Sequence, residues 1–297
     1  MKNGFSALHP ATSFLFFATV LLVTMLFLHP VILTLSFLAA ITFSLRLDAK
    51  KAAKLIFGMC LPISLIWTAV NPLINHEGLT PLLYINGMAY TQEALIYGAV
   101  TGIMFSAVLM WFSCFNHVMT TDKLLFLFSR FFPAVSLMLS MILRFIPRYT
   151  VQAEHITDAR KGIGRSADEG NVIRRAKNGS GLMLILTQWS MENAIDTADS
   201  MNARGYGAAR RTRFQSYRFT HHDCRSIILP AVLLIATVIG LAAGYGGMVY
   251  FPLFKFDFSP FSPFSLCFFA AYAVFMFFPV LHDALEALKW QYYLSKI

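Results

Sequence analysis

Two arginines each follow an alanine directly, near what reads as the end of a polar helix: Ala159-Arg160-Lys161 and Ala203-Arg204-Gly205. A guanidinium is a planar, permanently charged fork that matches a carboxylate at two points. At a helix C-terminus it also complements the negative end of the helix dipole. The small alanine beside it lets the helix approach a partner's groove closely. Spacing alone is equally compatible with solvated, dipole-completing arginines, so the pairs mark a candidate docking site and not a catalytic one.

The other reactive side chains converge less. His221, His222, Asp223 and Cys224 are metal-capable, but adjacent residues seldom all aim at one ion, and no second cluster has ligand spacing. They read as a polar collar at a membrane interface. Gly162, Ile163, Gly164, Arg165 and Ser166 lack the P-loop pattern, so ATP hydrolysis is expected in a partner and not in this chain. Glu93 and Glu154 are the carboxylates nearest apolar stretches; an acid inside a span would suggest an ion path, but both sit at ends. The four cysteines (Cys60, Cys114, Cys224, Cys267) are scattered and read as small apolar fillers. No Ser/His/Asp or Cys/His arrangement stands out. The expectation is a non-enzymatic chain without cofactor or metal site.

The elements that must carry these residues follow from composition. Of 297 residues, 57% are apolar and 13% charged, where a soluble domain carries about 25% charge. Twenty-nine Phe and eleven Tyr exceed what a soluble core of this size would bury. Apolar stretches recur at about 11–28, 31–45, 53–72, 93–116, 226–249 and 264–284. A crossing helix takes about 17–25 residues, so 31–45 is short and could tilt or re-enter. The fold class expected is all-α and membrane-integral, with about six transmembrane helices. Its parts would be an N-terminal membrane segment 1–116, interfacial and cytoplasmic helices over 117–225, and a C-terminal membrane segment 226–297.

Charge gives the orientation. With six spans, 23 of the 24 Lys and Arg fall on one side, and Lys255 alone on the other. The positive-inside rule makes that side cytoplasmic, with both termini there, in a multi-pass protein of the cell (inner or plasma) membrane. The formal charge of +9 is thus spread along loops beside the bilayer, where it meets anionic headgroups. It is not interleaved with aromatics as in nucleic-acid platforms, so no nucleic-acid partner is expected.

Residues 117–225 are too long for a plain connection. Residues 120–148 are apolar but interrupted by Lys123, Arg130, Pro133, Arg144 and Pro147, which favours amphipathic helices along the interface, a seventh crossing remaining open. A helix from Tyr149 should stop at Gly162 and Gly164. Residues 165–181 read as a hinge. A second helix then runs from Leu182 to Arg204, with Leu182, Ile185, Leu186 and Trp189 as one apolar stripe that Ile195, Ala198 and Met201 extend.

In this setting the chain resembles the transmembrane T component of energy-coupling factor transporters, a family that includes the cobalt-transporter Q subunit. His9-Pro10 opens span one, Leu143-Arg144-Phe145-Ile146-Pro147 precedes the cytoplasmic helices, Ala159-Arg160-Lys161 and Met201-Asn202-Ala203-Arg204-Gly205-Tyr206-Gly207 close them, and Arg211-Thr212-Arg213 follows. The resemblance implies a non-catalytic coupling subunit of an ABC-type importer of a micronutrient, a vitamin or a metal ion. It implies as partners two ABC-type ATPases, a small substrate-binding membrane subunit and the lipid bilayer. It also implies that Arg160 and Arg204, flanked by Ala159 and Lys161 and by Ala203 and Gly205, dock in the ATPases. The alternatives are a self-sufficient channel or secondary transporter, for which Pro62 and Asn71-Pro72 interrupt span three, and a membrane scaffold outside transport.

Overall fold

The computed structural model describes residues 4–85, 88–164, 171–208, 217, 221–242, 248, 250–251 and 263–295. It is an all-α membrane protein in two compact units, residues 1–124 with 217–297, and residues 125–216. The two apolar segments of the sequence therefore fold into a single unit, with the polar segment inserted between them.

The first unit begins with a single turn, α1 (Gly4–Ala7), and then α2 (Pro10–Leu26). The His9-Pro10 pair is a helix start: His9 Nδ1 accepts from the Ala11 N–H at 3.2 Å, and Pro10 fits the first turn, where no N–H partner is needed. Next come α3 (Pro30–Leu55), a π-helical turn (Ile56–Cys60) and α4 (Leu61–Ile74) as one helical run, with non-helical backbone only at Asp48. A short antiparallel hairpin, β1 (Pro81–Ile85) and β2 (Met88–Thr91), leads into α5 (Gln92–Val118). After the second unit come α9 (His221–Ala242), α10 (Pro263–Met276) and α11 (Phe278–Leu294). The hairpin is a small departure from a purely helical expectation.

The packing of α5 shows that the run from Pro30 to Ile74 is two passes. Trp111 Nε1 donates to Ser36 Oγ at 3.0 Å, and Cys114 Sγ approaches the Ala40 carbonyl at 3.9 Å, so α3 and α5 advance together. On α4 the order reverses: Ser106 pairs with Cys60, while a Cβ on Gly102 would meet Ser64 and one on Gly98 would meet Asn71. The chain turns back at Asp48, whose carboxylate accepts from the Lys51 N–H at 3.3 Å, as an N-cap of the second helix does. The basic cluster Arg46, Lys50, Lys51 and Lys54 is thus helical, where a loop was expected between spans two and three.

Among the described residues, Pro30–Ile74, Gln92–Val118 and Pro133–Gly162 are long and apolar enough to cross a membrane; Ser265–Met276 and Phe278–Leu294, bent by 61°, pass the same test only when taken together. The shorter α2, of 17 residues, reaches about 26 Å. Its Phe16, Phe17 and Val20 join Phe43, Trp111, Tyr272 and Phe275 in one buried core. Thr24, Ser36 and Trp111 form a hydrogen-bonded chain inside it, which satisfies polar groups that hydrocarbon could not. Cys60 and Cys114 are buried fillers as expected, whereas Cys267 is exposed; Cys224 lies outside the described side chains.

Helices α4 and α5 approach closely because small residues face α4. A Cβ on Gly102 would lie 2.9 Å from the Ser64 carbonyl oxygen, and one on Gly98 would lie 2.8 Å from the Asn71 Cβ. Gly102→Leu should therefore destabilise the unit by about 1–3 kcal/mol through overpacking. Thermal unfolding in detergent reads this, with Gly58→Ala, which meets nothing within 4 Å, as the neutral comparison.

At the end of the bundle that carries Arg46 and Lys51, the ammonium of Lys123 is buried. It donates to the carbonyls of Ser6 at 2.5 Å and Val118 at 3.0 Å. Both carbonyls close helices, α1 and α5, so the cation sits on two negative dipole ends. Burial pulls this ammonium below the ordinary lysine range.

Candidate functional site

The second unit is built from α6 (Thr121–Phe131, whose first turn belongs to the first unit), α7 (Pro133–Gly162) and α8 (Val172–Ala203). The apolar stretch that the sequence broke at Arg144 and Pro147 is continuous helix inside α7. The Leu143-to-Pro147 segment accordingly lies within the first long helix and not ahead of it. Val135, Met138, Leu139, Ile142, Leu143 and Ile146 are all exposed. Helix α8 starts at Val172, ten residues before the expected Leu182, because Asn171 caps it by accepting from the Val172 N–H at 2.8 Å. Residues 171–181 of the expected hinge are thus the cap and first turns of α8, and residues 165–170 lie outside the described part.

Helices α7 and α8 run in opposite directions. Trp189 meets Tyr149 edge-to-face at 5.3 Å with Arg148 over its ring at 5.7 Å. Further along α7, Arg160 meets Gly181, earlier on α8. The face of α8 that is half-buried carries Asn178, Leu182, Leu186, Trp189, Asn193, Thr197 and Met201. Ile185, Ile195 and Ala198, expected on that stripe, are exposed. The reason is that α8 has two apolar faces. At about 100° per residue, Leu184, Met191 and Ile195 form a second row on the side opposite Leu186 and Asn193, each 64–68% exposed.

Both arginine pairs stand at helix ends, in different local roles. In α8, Ala203 is the last helical residue and Arg204 the C-cap (φ −83°, ψ 6°). Gly205 follows at φ +80°, in the left-handed region. Its N–H reaches the Asn202 carbonyl at 2.9 Å, and the Tyr206 N–H reaches Met201 at 3.0 Å. That pair of bonds is the Schellman closure. It needs residue 205 to be glycine and leaves Arg204 exposed at the tip. In α7, Ala159, Arg160 and Lys161 lie inside the last turn, before Gly164 at φ +69°. Arg160 is half-buried with its guanidinium against Gly181, where an added Cβ would stand 2.7 Å from Nη1. Lys161 pairs with Asp158 at 3.3 Å with both side chains exposed, an interaction worth about 0–1 kcal/mol. Among the described residues, no carboxylate lies within ion-pair distance of Arg160 or Arg204.

The two arginines mark opposite ends of the helical pair. From Gly181, beside Arg160, to Arg204 is 23 residues of α8, about 35 Å at the helical rise. Gly205→Ala should cost about 1–2 kcal/mol by forcing a Cβ into left-handed backbone. It should fray the tip, which limited proteolysis after Arg204 would report. Gly162→Ala, at ordinary φ with open space around it, should leave cleavage unchanged.

Of the other sequence candidates, Glu93 is buried in the first turn of α5, where a Cβ on Gly78 would stand 2.7 Å from its Oε2, as a brace of the preceding loop. Glu154 is exposed on α7. Among the described residues no three His, Cys, Asp or Glu side chains are grouped to hold a metal. The side chains of His221, His222, Asp223 and Cys224 lie outside the described part, as do Arg211, Thr212 and Arg213.

A family model described as cobalt transport protein, CbiQ, matches residues 4–215. Among individual proteins, the chain is 33% identical over 106 residues to the energy-coupling factor transporter transmembrane protein EcfT of Lactobacillus helveticus, covering 34% of this chain and 38% of that one. It is 35% identical over 107 residues to the EcfT of Brevibacillus brevis, covering 36% and 40%, and 34% identical over 105 residues to that of Lactococcus lactis, covering 34% and 40%. These matches therefore span less than half the length of the relatives.

Proposed function

This chain belongs to the cobalt transport protein family, and from that premise we propose that it is the transmembrane coupling subunit of an energy-coupling factor ABC importer. In this reading two partner ATPases hydrolyse ATP, a small membrane subunit captures a vitamin or metal ion, and this chain converts closure of the first into reorientation of the second. The name shared by its relatives, energy-coupling factor transporter transmembrane protein, supports the assignment to a multi-component transporter. The side bearing nearly all the Lys and Arg, with both chain ends, then faces the cytoplasm.

The observation that carries the reading is the pair of arginines, neither with an ion-pair partner among the described residues, at opposite ends of the α7–α8 pair. A single docking site would not need two guanidinium-bearing tips about 35 Å apart. Two ATPases, each offering one acidic groove, would use both. Closing the ATPases changes the distance between the grooves, so the helices that join them must shear or tilt. The exposed apolar face of α8, with Leu184, Met191 and Ile195, offers the capture subunit a surface that moves with them.

Affinity purification of the intact protein from its native membrane in mild detergent tests the assignment. Recovery of two ATPase subunits and a small membrane protein is the expected result. Recovery of the chain alone, with transport retained after reconstitution, would replace the assignment with a self-sufficient transporter.

A further inference from the structure

Helix α11 lies beyond residues 4–215, to which the family model extends; Phe278 and Pro279 at its start are buried, whereas residues 287–294 are exposed. Helix α10 contributes Phe268, Tyr272, Phe275 and Met276 to the membrane core. The chain then bends by 61° into α11. If α10 follows the membrane normal, α11 lies about 30° from the bilayer plane. The bend occurs at the bundle end that carries the basic residues: Arg46 Nη1 donates to the Val280 carbonyl at 3.3 Å, and Asp283 Oδ1 accepts from the Phe5 N–H at 2.7 Å. The Glu286 carboxylate stands against Gly4. Both acids of α11 are therefore turned to α1, and Lys289 remains as its one charge directed elsewhere among the described residues.

The opposite side of α11 is apolar. Leu281, Leu285, Leu288 and Tyr292 recur at i, i+4, i+7 and i+11, which keeps them within about 60° of one another on the helix surface. They are 46–61% exposed; Trp290, Tyr293 and Leu294, exposed as well, lie on other sides of the helix. In the chain by itself this row meets either lipid or water. A row of leucines in water forfeits the burial free energy that acyl chains would supply. Tyr292 in the row and Lys289 at its edge are also of the side-chain types that settle at headgroup depth, each with an apolar body and a polar tip.

We propose that residues 281–294 form an interfacial anchor. The row from Leu281 to Tyr292 is immersed at the acyl–headgroup boundary of the leaflet at the basic end, and Lys289 reaches the lipid phosphates. The helix does not span; it lies on the membrane beside the bundle and braces α1 through Asp283. The inference needs only that the chain resides in a membrane and is independent of the transport role.

Fluorescence of the full chain in phosphatidylethanolamine–phosphatidylglycerol vesicles tests this. Leu288→Trp, Tyr292→Trp and Ala287→Trp are each made in a Trp290→Phe parent, whose signal from Trp67, Trp111 and Trp189 is subtracted. The expected result is blue-shifted emission at 288 and 292 that brominated acyl chains quench and aqueous acrylamide does not, with the reverse at 287. Tyr292→Trp, aromatic for aromatic, guards against a folding defect in Leu288→Trp. Acrylamide quenching at all three positions would overturn the proposal in favour of a helix in water. Protection of 288 and 292 from both quenchers would overturn it in favour of a protein partner.

Discussion

Arg204→Ala is expected to strip one ATPase from the purified complex and to abolish ATP-driven uptake, while leaving this chain folded. The cap that holds the tip of α8 consists of backbone bonds from Gly205 to Asn202 and from Tyr206 to Met201, none of which involves the Arg204 side chain. Alanine at that position therefore preserves the geometry and removes only the charged fork. The size of the effect depends on enclosure. A guanidinium–carboxylate pair in a closed groove, broken on one side, costs about 3–5 kcal/mol, a loss of at least a hundredfold in affinity. An exposed pair would cost about 0–1 kcal/mol. Arg204→Lys keeps the charge without the two-point fork and should fall between wild type and alanine. A complex of normal stoichiometry with normal uptake in Arg204→Ala would remove the docking role from this residue. Arg160→Ala should be less clean, because its side chain also lies on Gly181 where α7 and α8 meet. Loss of the ATPase there would mix docking with a local repacking of the helix pair.

What the sequence made legible was whatever a short periodic or positional signal encodes. The glycines after each arginine pair announce helix ends, and both take left-handed backbone, Gly164 at φ +69° and Gly205 at φ +80°. The six apolar segments are mostly helical within the described residues, and both arginines stand at helix ends. What stayed hidden depends on packing across the chain. One residue, Asp48, is enough to reverse the helix direction, since its side chain can cap the next helix. A charged stretch such as Arg46 to Lys54 reads as a loop although it is helical. The hairpin before α5 did carry a local signal, Asn86-Gly87 between Leu-Leu-Tyr-Ile and Met-Ala-Tyr-Thr, a dipeptide that favours tight hairpins. The buried Lys123 is unreadable locally, because its acceptors come from Ser6 and Val118.

The stripe on α8 shows the same limit and leads to the second large effect. Periodicity identifies an apolar row but does not say which of two rows a neighbour covers. Helix α7 covers the row through Leu186 and Trp189, so Leu184, Met191 and Ile195 are left outward. A substitution on such an exposed row changes folding stability by about 0.5 kcal/mol or less. If the capture subunit seats there, each large apolar side chain contributes about 1.5–3 kcal/mol of burial, and an aspartate adds the cost of a desolvated charge. Met191→Asp with Ile195→Asp should therefore abolish uptake and release the small membrane subunit by more than a hundredfold in affinity, while both ATPases still co-purify and hydrolyse ATP. That separation is the opposite of the Arg204→Ala pattern, and it follows from the two features occupying different parts of one helix. Loss of ATPases and capture subunit together would mean that the outward row supports α8 itself. Unchanged uptake would mean that no partner covers it. Uptake lost with every subunit retained would place the row in the transmission of movement and not in assembly.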